Sequence, residues 1–259
     1  MDPEPYARVA LLDGFGLELA DGSQPAGDVL PRGVQRLVAH LSLSRHRLRT
    51  AIAGQLWPEV PEVHAHGSLR SALWRVQKIA PGLIQVAGDT LALADGVQVD
   101  VHELTTWAEH VSDPRMPIEE LTGGHVGLRG ELLPGWYDDW VLLDRERLRQ
   151  LRMHALEVLA ERLAAARRYG EAVQAAYSAV RAEPLRESAH RAVIRVHLAE
   201  GNVVEAMRAY EAFRTLLADE LGVAPTRQIR DLVGRFPQPR RGEIRLPVAA
   251  GTSQEKART

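Results

Sequence analysis

Gly67-Ser68-Leu69-Arg70-Ser71-Ala72-Leu73-Trp74-Arg75-Val76-Gln77-Lys78 is the stretch on which the reading turns. At about 100° per residue, Leu69, Ala72, Leu73 and Val76 fall on one face of a helix and must point into a core. The opposite face carries Arg70, Ser71, Trp74, Arg75 and Lys78. Ser68 stands where an N-cap is expected, and Pro81-Gly82 ends the helix after Ile79. An apolar back with an Arg/Ser/Arg/Lys front suits the major groove of duplex DNA, where arginine bonds guanine bidentately or clamps phosphate. A large aromatic on an exposed face needs a partner. Trp74 either covers a sugar or a thymine methyl or packs on a neighbouring hairpin, with packing the favoured reading.

Working outward, two helices precede this one. Val34, Leu37, Val38 and Leu41 recur at helical steps after Pro31. Leu48, Ala51, Ile52 and Leu56 predict a second helix over residues 47–56, stopped at Trp57-Pro58. Before them, Val9-Ala10-Leu11-Leu12 and Phe15-Gly16-Leu17-Glu18-Leu19 flank Asp13-Gly14, a strong hairpin signal. After the third helix, Leu83-Ile84-Gln85-Val86 and Thr90-Leu91-Ala92-Leu93 flank a turn at Gly88-Asp89, a second hairpin whose tip would form a wing.

From Asp100 the pattern is helical. A short helix over residues 100–110 leads into a Gly/Pro-rich connector at 112–135. Then come stripes at Leu148, Leu151, Ala155, Leu159 and Leu163, at Ala172, Ala175, Ala176, Ala179 and Val180, and at Ala189, Val193, Val196 and Ala199. Asn202 with Glu205 reads as a capping box for a further helix over Val203–Leu217. Glu171-Ala172 and Glu205-Ala206 lie 34 positions apart, the tetratricopeptide spacing. A plain antiparallel bundle, or chance self-alignment of an Ala-rich sequence, is the competing reading. Residues 237–259 hold proline and glycine without periodicity and are expected to be disordered. The fold class expected is mainly α, with an N-terminal winged helix-turn-helix of α+β type over residues 1–99. An all-α tetratricopeptide-like domain over 100–236 follows.

Composition narrows the chemistry. The 259 residues contain no cysteine, which removes disulfides, thiolate metal sites and thiol nucleophiles. Net charge is −2, but it is unevenly spread. Between Pro31 and Lys78 stand Arg32, Arg36, Arg45, Arg47, Arg49, Arg70, Arg75 and Lys78 against only Glu59 and Glu62, whereas charges balance between residues 136 and 234. A basic island of this kind is what phosphate binding requires; a merely solvated basic face is the alternative. Arg45, Arg47, Arg49, Ser68 and Lys78 are the candidate phosphate contacts. Arg70, Ser71, Trp74 and Arg75 are the candidates for base or near-base contact.

Other constellations are weak. Gly14-Phe15-Gly16 lacks the third glycine of a dinucleotide loop, and no phosphate-binding GxxxxGK[ST] run occurs. His64 and His66 have no third ligand at metal spacing, so loop histidines are expected and no metal or cofactor. Asp138 and Asp139 suit a helix start better than an acid/base pair. Trp136 and Trp140, four apart, read as a clamp between helices. No nucleophile, base and orienter assemble, so no enzyme is expected. With no run of about 18 apolar residues and no signal-peptide pattern at Met1-Asp2-Pro3-Glu4, a cytoplasmic protein without membrane partner is expected.

Strands, three helices and a hairpin, with Leu56-Trp57-Pro58 and Gly67 to Val76, resemble the OmpR-type winged helix of the antibiotic-regulatory activators called SARPs. Three later stretches resemble the bacterial transcriptional activator domain: Leu128-Arg129-Gly130-Glu131-Leu132-Leu133-Pro134-Gly135-Trp136-Tyr137-Asp138-Asp139-Trp140-Val141, Glu183 to His190, and Glu220 to Thr226. The resemblance covers about residues 7–235 and implies a sequence-specific activator of a biosynthetic gene cluster. Such a protein binds direct repeats in double-stranded DNA, as a homodimer there, and recruits RNA polymerase. A helical adaptor without specific DNA binding is the rival. The turn Leu41-Ser42-Leu43-Ser44-Arg45-His46 is a few residues shorter than usual, which puts in question the short strand normally found there and any polymerase contact by it.

Overall fold

The computed structural model describes residues 6–20, 22, 30–44, 47–122 and 130–235. The expected disordered tail, 237–259, lies outside them, as does Arg45.

Strands β1 (Ala7–Ala10) and β2 (Gly16–Leu19) pair antiparallel, with Val9 opposite Leu17. The turn between them puts Asp13 at φ 64° and Gly14 at φ 135°, the second of which only glycine adopts without strain. Helix α1 (Arg32–Leu43) follows Pro31 and buries Val34, Leu37, Val38 and Leu41. Next come β3 (Arg47–Leu48), α2 (Arg49–Leu56) and α3 (Glu62–Ile79). The hairpin β4 (Ile84–Ala87) and β5 (Thr90–Leu93) and then β6 (Val97–Val99) complete this part. The first sheet has the order β2-β1-β6, with β6 parallel to β1; the second has the order β3-β5-β4. Three helices closed by a hairpin form a winged helix-turn-helix.

Three expectations change. The short strand in the turn after α1 is present: Arg47 and Leu48 pair with Leu91 and Thr90, so α2 begins at Arg49 rather than at residue 47. Helix α3 begins at Glu62, not at Ser68. Ala65 is buried and extends the stripe of Leu69, Ala72 and Val76 by one turn, and this packing outweighs the roughly 1 kcal/mol that Gly67 costs inside a helix. Ser68 is therefore a half-buried mid-helix residue and caps nothing; the N-cap is Pro61.

The remainder is helical: α4 (Asp100–Ser112), α5 (Ile118–Leu121), α6 (Asp139–Ala165), α7 (Tyr169–Ala182), α8 (Glu187–Glu200), α9 (Val203–Leu221) and α10 (Arg227–Val233). From α6 to α9 each helix packs on the next, and α6 also lies on α4 and α8. Helices α7 and α9 start 34 positions apart, and the repeated Ala172 and Ala206 are both fully buried, as the tetratricopeptide spacing requires. Asn202 Oδ1 accepts from the Glu205 amide at 3.4 Å, and Gly201 ends α8 in the left-handed conformation (φ 87°). The Gly/Pro-rich connector at 112–135 includes the short helix α5.

The two halves share a core. One contiguous apolar cluster runs from β1 and α1 through α4 and α6 to α8; a second, smaller one sits around Phe213 between α9 and α10. Past β1, Leu12 bridges to Leu132, the Leu133 amide donates to the Leu11 carbonyl at 2.8 Å, and one Asp100 carboxylate oxygen accepts from the amides of Leu11 and Leu12 at 2.8 Å each. Burial pushes the Asp100 carboxyl above its ordinary value, with those amides opposing the shift.

Candidate nucleic-acid interface

Helix α3 is two-faced because its sequence is. Ala65, Leu69, Ala72 and Val76 are buried against α1 and α2, while Arg70, Ser71, Trp74, Arg75 and Lys78 are exposed. The exposed residues span about 140° of the helix circumference. Among the described residues no carboxylate pairs with Arg70, Arg75 or Lys78, so three cations stand in one row without internal neutralisation.

Arg70, Ser71 and Arg75 line one open groove of about 650 Å³ together with Ser68. Gly33 and Val34 at the start of α1, Trp57, and Val63 and His64 of the first turn of α3 also line it. The hydroxyl of Ser71 donates to the Gly67 carbonyl one turn back at 3.0 Å, so toward DNA its oxygen can act only as an acceptor. Val63 is 75% exposed, an apolar side chain beside cations that suits contact with a methyl or a sugar edge. Neither it nor the α1 wall was readable in the sequence, because both depend on α3 reaching back to Glu62 and on how α1 crosses it.

Trp74 does not pack on the hairpin. It is 59% exposed, and its partner is Lys78, whose Nζ lies 4.0 Å from the ring centroid. The spacing of four residues brings the two together on one helix face. Lys78 is thereby held over the indole.

The other candidates sit apart from this row. Gly88 and Asp89 are exposed at the tip of the β4–β5 hairpin, and the Asp89 carbonyl accepts from the Arg49 amide at 2.8 Å, tying the tip to the start of α2. Arg49 is half-buried there. Arg47 contributes its backbone to β3. Two other arginines of the basic island are engaged elsewhere: the Arg32 guanidinium lies 3.8 Å from the Trp136 ring centroid, and Arg36 forms an ion pair with Asp138. The expected tryptophan clamp is seen, with Trp136 and Trp140 edge to face at 6.5 Å, Phe15 stacked on Trp136 and His40 against Trp140. It joins the first hairpin and α1 to the start of α6.

Among the described residues no cluster of His, Asp or Glu could hold a metal, and no helix is long and apolar enough to cross a membrane. A winged helix with an unneutralised cationic helix, continued by stacked helical pairs, is the build of a transcription regulator. The bacterial transcriptional activator domain matches residues 102–235, just over half of the chain. The regulatory protein AfsR of Streptomyces coelicolor is 29% identical over 205 residues, and that of Streptomyces griseus 29% over 203 residues. In each case the match takes in 73% of this chain but 20% of the relative, so the chain spans about a fifth of the length of these proteins. Mycobacterium tuberculosis EmbR, solved in complex with a low-affinity phosphopeptide, has the same fold: TM-score 0.69 and 22% identity, over 90% of this chain and 65% of EmbR. The chain belongs to the bacterial transcriptional activator domain family and is of the SARP type, a family of transcription regulators and not of enzymes.

Proposed function

We propose that this regulator acts as a sequence-specific activator that docks α3 in the major groove. Residues 1–99 form the DNA-binding part and residues 100–236 the activating part. Arg70, Ser71 and Arg75 read base edges or adjacent positions, with Trp74 beside them; Arg45, Arg47, Arg49, Ser68 and Lys78 hold phosphates, and the Gly88-Asp89 tip lies along the backbone as a wing. The observation that carries this reading is the row of Arg70, Arg75 and Lys78: three exposed cations without carboxylate partners on a helix whose other face is buried. A net charge of −2 over the whole chain makes that concentration of positive charge all the more local.

Further parts of the proposal follow from the family. The sites are direct repeats, which imply a head-to-tail pair on DNA. The target is a biosynthetic gene cluster, RNA polymerase is recruited, and the protein works in the cytoplasm at the nucleoid. The presence of β3 supports a polymerase contact by the turn after α1, which the shortness of that turn had put in question.

The test is a footprint and gel shift on the DNA upstream of the operon next to the gene, with the wild type and Arg75→Ala. Protection of repeated sites by the wild type, lost in the variant at an unchanged melting temperature, is the expected result. No shift at any salt concentration overturns the reading and favours a helical adaptor.

A further inference from the structure

Outside the cationic row, the strongest feature is a cavity of about 540 Å³ bounded by the end of β1, the 130–132 segment, α4, α6 and α7. That volume falls within the range of small-molecule sites, about 300–1,000 Å³. Its floor is apolar and built from two helices and the segment between them: Leu104 and Trp107 of α4, Leu132, and Leu156 of α6, all buried. Its walls are not. Arg145, Arg149 and Arg152 line it from one stripe of α6, at the spacing that puts successive side chains on one face, and Arg181 faces them from α7. Four guanidiniums around an apolar floor is an unusual composition for a gap in a helical stack, where leucine or alanine would fill the space.

The hydrogen bonds divide these arginines by task. Arg145 is a structural brace, donating to the carbonyls of Leu132, Leu133 and Trp136 and pairing with Glu131. Arg149 is neutralised by Glu146 and Glu183, and the hydrogen bonds that Glu146 accepts from Arg149 and Gln150 lower its carboxyl to about 2, so it stays ionised. Arg152 donates to the Gly130 carbonyl at 3.0 Å. Arg181 differs: its hydrogen bond goes to the Ser178 hydroxyl at 2.8 Å, a neutral partner that orients the guanidinium without cancelling its charge. The cavity thus has an apolar floor, carboxylates matched to two of its arginines, and a positive charge at its α7 edge.

We infer that this cavity binds a small amphipathic anion, its apolar body on Leu104, Trp107 and Leu156 and its carboxylate or phosphate at Arg181. Arg181 is exposed at the rim of the cavity, so an uncharged apolar molecule would gain nothing from it, and a bare inorganic anion would leave the floor wet. Because Leu12, just past β1 and bridged to Leu132, also lines the cavity, the occupant touches the N-terminal hairpin and the helical array at once. The inference stands on the cavity alone and does not depend on DNA binding.

The test uses the full chain in solution. Anilinonaphthalene sulfonate, an aromatic body with one anionic group, is titrated by fluorescence and then displaced with octyl phosphate, 1-octanol or inorganic phosphate. Saturable one-site binding is expected, with octyl phosphate displacing the dye at least about tenfold better than either of the other two. Arg181→Gln is expected to weaken octyl phosphate about tenfold and leave octanol unchanged, while Arg181→Lys recovers most of the loss. Arg147→Gln, on α6 but outside the cavity, is expected to change nothing. Non-saturable dye binding, equal displacement by octanol, no binding of any probe, or an Arg181→Gln protein that melts normally and binds like wild type each overturns the proposal.

Discussion

Arg32, the first residue of α1, holds its guanidinium 3.8 Å from the centroid of Trp136, which lies just ahead of α6. One turn further along α1, Arg36 pairs with Asp138. Two side chains four residues apart on one helix thus grip two residues two apart in the approach to the next domain-spanning helix. Together with Phe15 on Trp136 and His40 on Trp140, this fixes α1 against α6. A helix that leans on α3 is thereby tied to the helical array, so the cationic row cannot turn freely relative to the rest of the chain.

Removing that grip should cost stability. In Arg36→Ala the Asp138 carboxylate, whose side chain is only 18% exposed, loses its cation, and a loss of about 1–3 kcal/mol is expected from urea unfolding. Arg208→Ala breaks an ion pair of similar appearance but exposed on α9, and should cost at most about 1 kcal/mol. Equal losses from the two variants would mean that the Arg36 pair is no more than a surface contact.

On DNA, the members of the cationic row should separate by what they touch. Lys78→Ala is expected to weaken binding uniformly across sequences and to reduce the salt-dependence slope by about one. Arg75→Ala should cost about 1–3 kcal/mol at the preferred site, relax the preference at one base position, and bring affinity toward the non-specific level. Titrations over a series of salt concentrations on a specific and a scrambled duplex distinguish the two. If Arg75→Ala weakens both duplexes equally, Arg75 holds phosphate and does not read sequence.

How much of this was legible beforehand depended on the range of the interactions. The two faces of α3 follow from residues three and four apart, and so do the stripes of α6 to α9; local periodicity carries that information. Strand β3 has two residues and no period, and exists because Leu91 and Thr90 lie opposite it. Strand β6 is parallel to β1 from the far end of the winged helix, a pairing no local pattern encodes. The start of α3 was misplaced because Gly67-Ser68 imitates a helix start, while the deciding contact, the burial of Ala65, is tertiary. Of the two readings of Trp74 the packing on the hairpin fails, because Lys78 at i+4 lies over the ring instead. The Arg32 and Arg36 contacts could not be read at all, since charge counting treats every arginine of the island alike.

His190 gives the helical half a pH dependence of defined sign. Its ring stacks on Phe213 at 4.0 Å, and burial lowers its pKa below the ordinary 6.5 despite the hydrogen bond to the Pro184 carbonyl. As pH falls through 6.5 the unfolded chain takes up a proton that the folded one refuses, so this site makes stability fall on acidification. The loss levels off once pH is below the folded value. His190→Phe keeps an aromatic ring on Phe213 and removes the proton. Thermal melts from pH 7.5 to 5 should show a smaller decline in the variant than in the wild type, and identical declines would exclude His190 as the source.

Two glycines should respond to alanine in opposite directions. Gly54 lies exposed within α2 with nothing within 4 Å of the position a Cβ would take. Gly54→Ala therefore gains helix propensity and restricts the unfolded chain, for about 0.5–1 kcal/mol of added stability. Gly130 sits at φ 103°, beside the bridge that joins Leu12 to Leu132, and a Cβ there would stand 2.3 Å from Asp13 Oδ1. Asp13 is exposed and can swing aside, so the clash is relieved cheaply, but the backbone angle is not. Gly130→Ala should lose about 1–2 kcal/mol through strain alone. The Gly130 carbonyl also accepts from Arg152, so the strain falls on a segment that lines the 540 Å³ cavity. If Gly130→Ala melts at the wild-type temperature while Gly54→Ala melts higher, the segment around Gly130 adapts without cost, and the bridge to Leu12 is not a rigid link between the two halves.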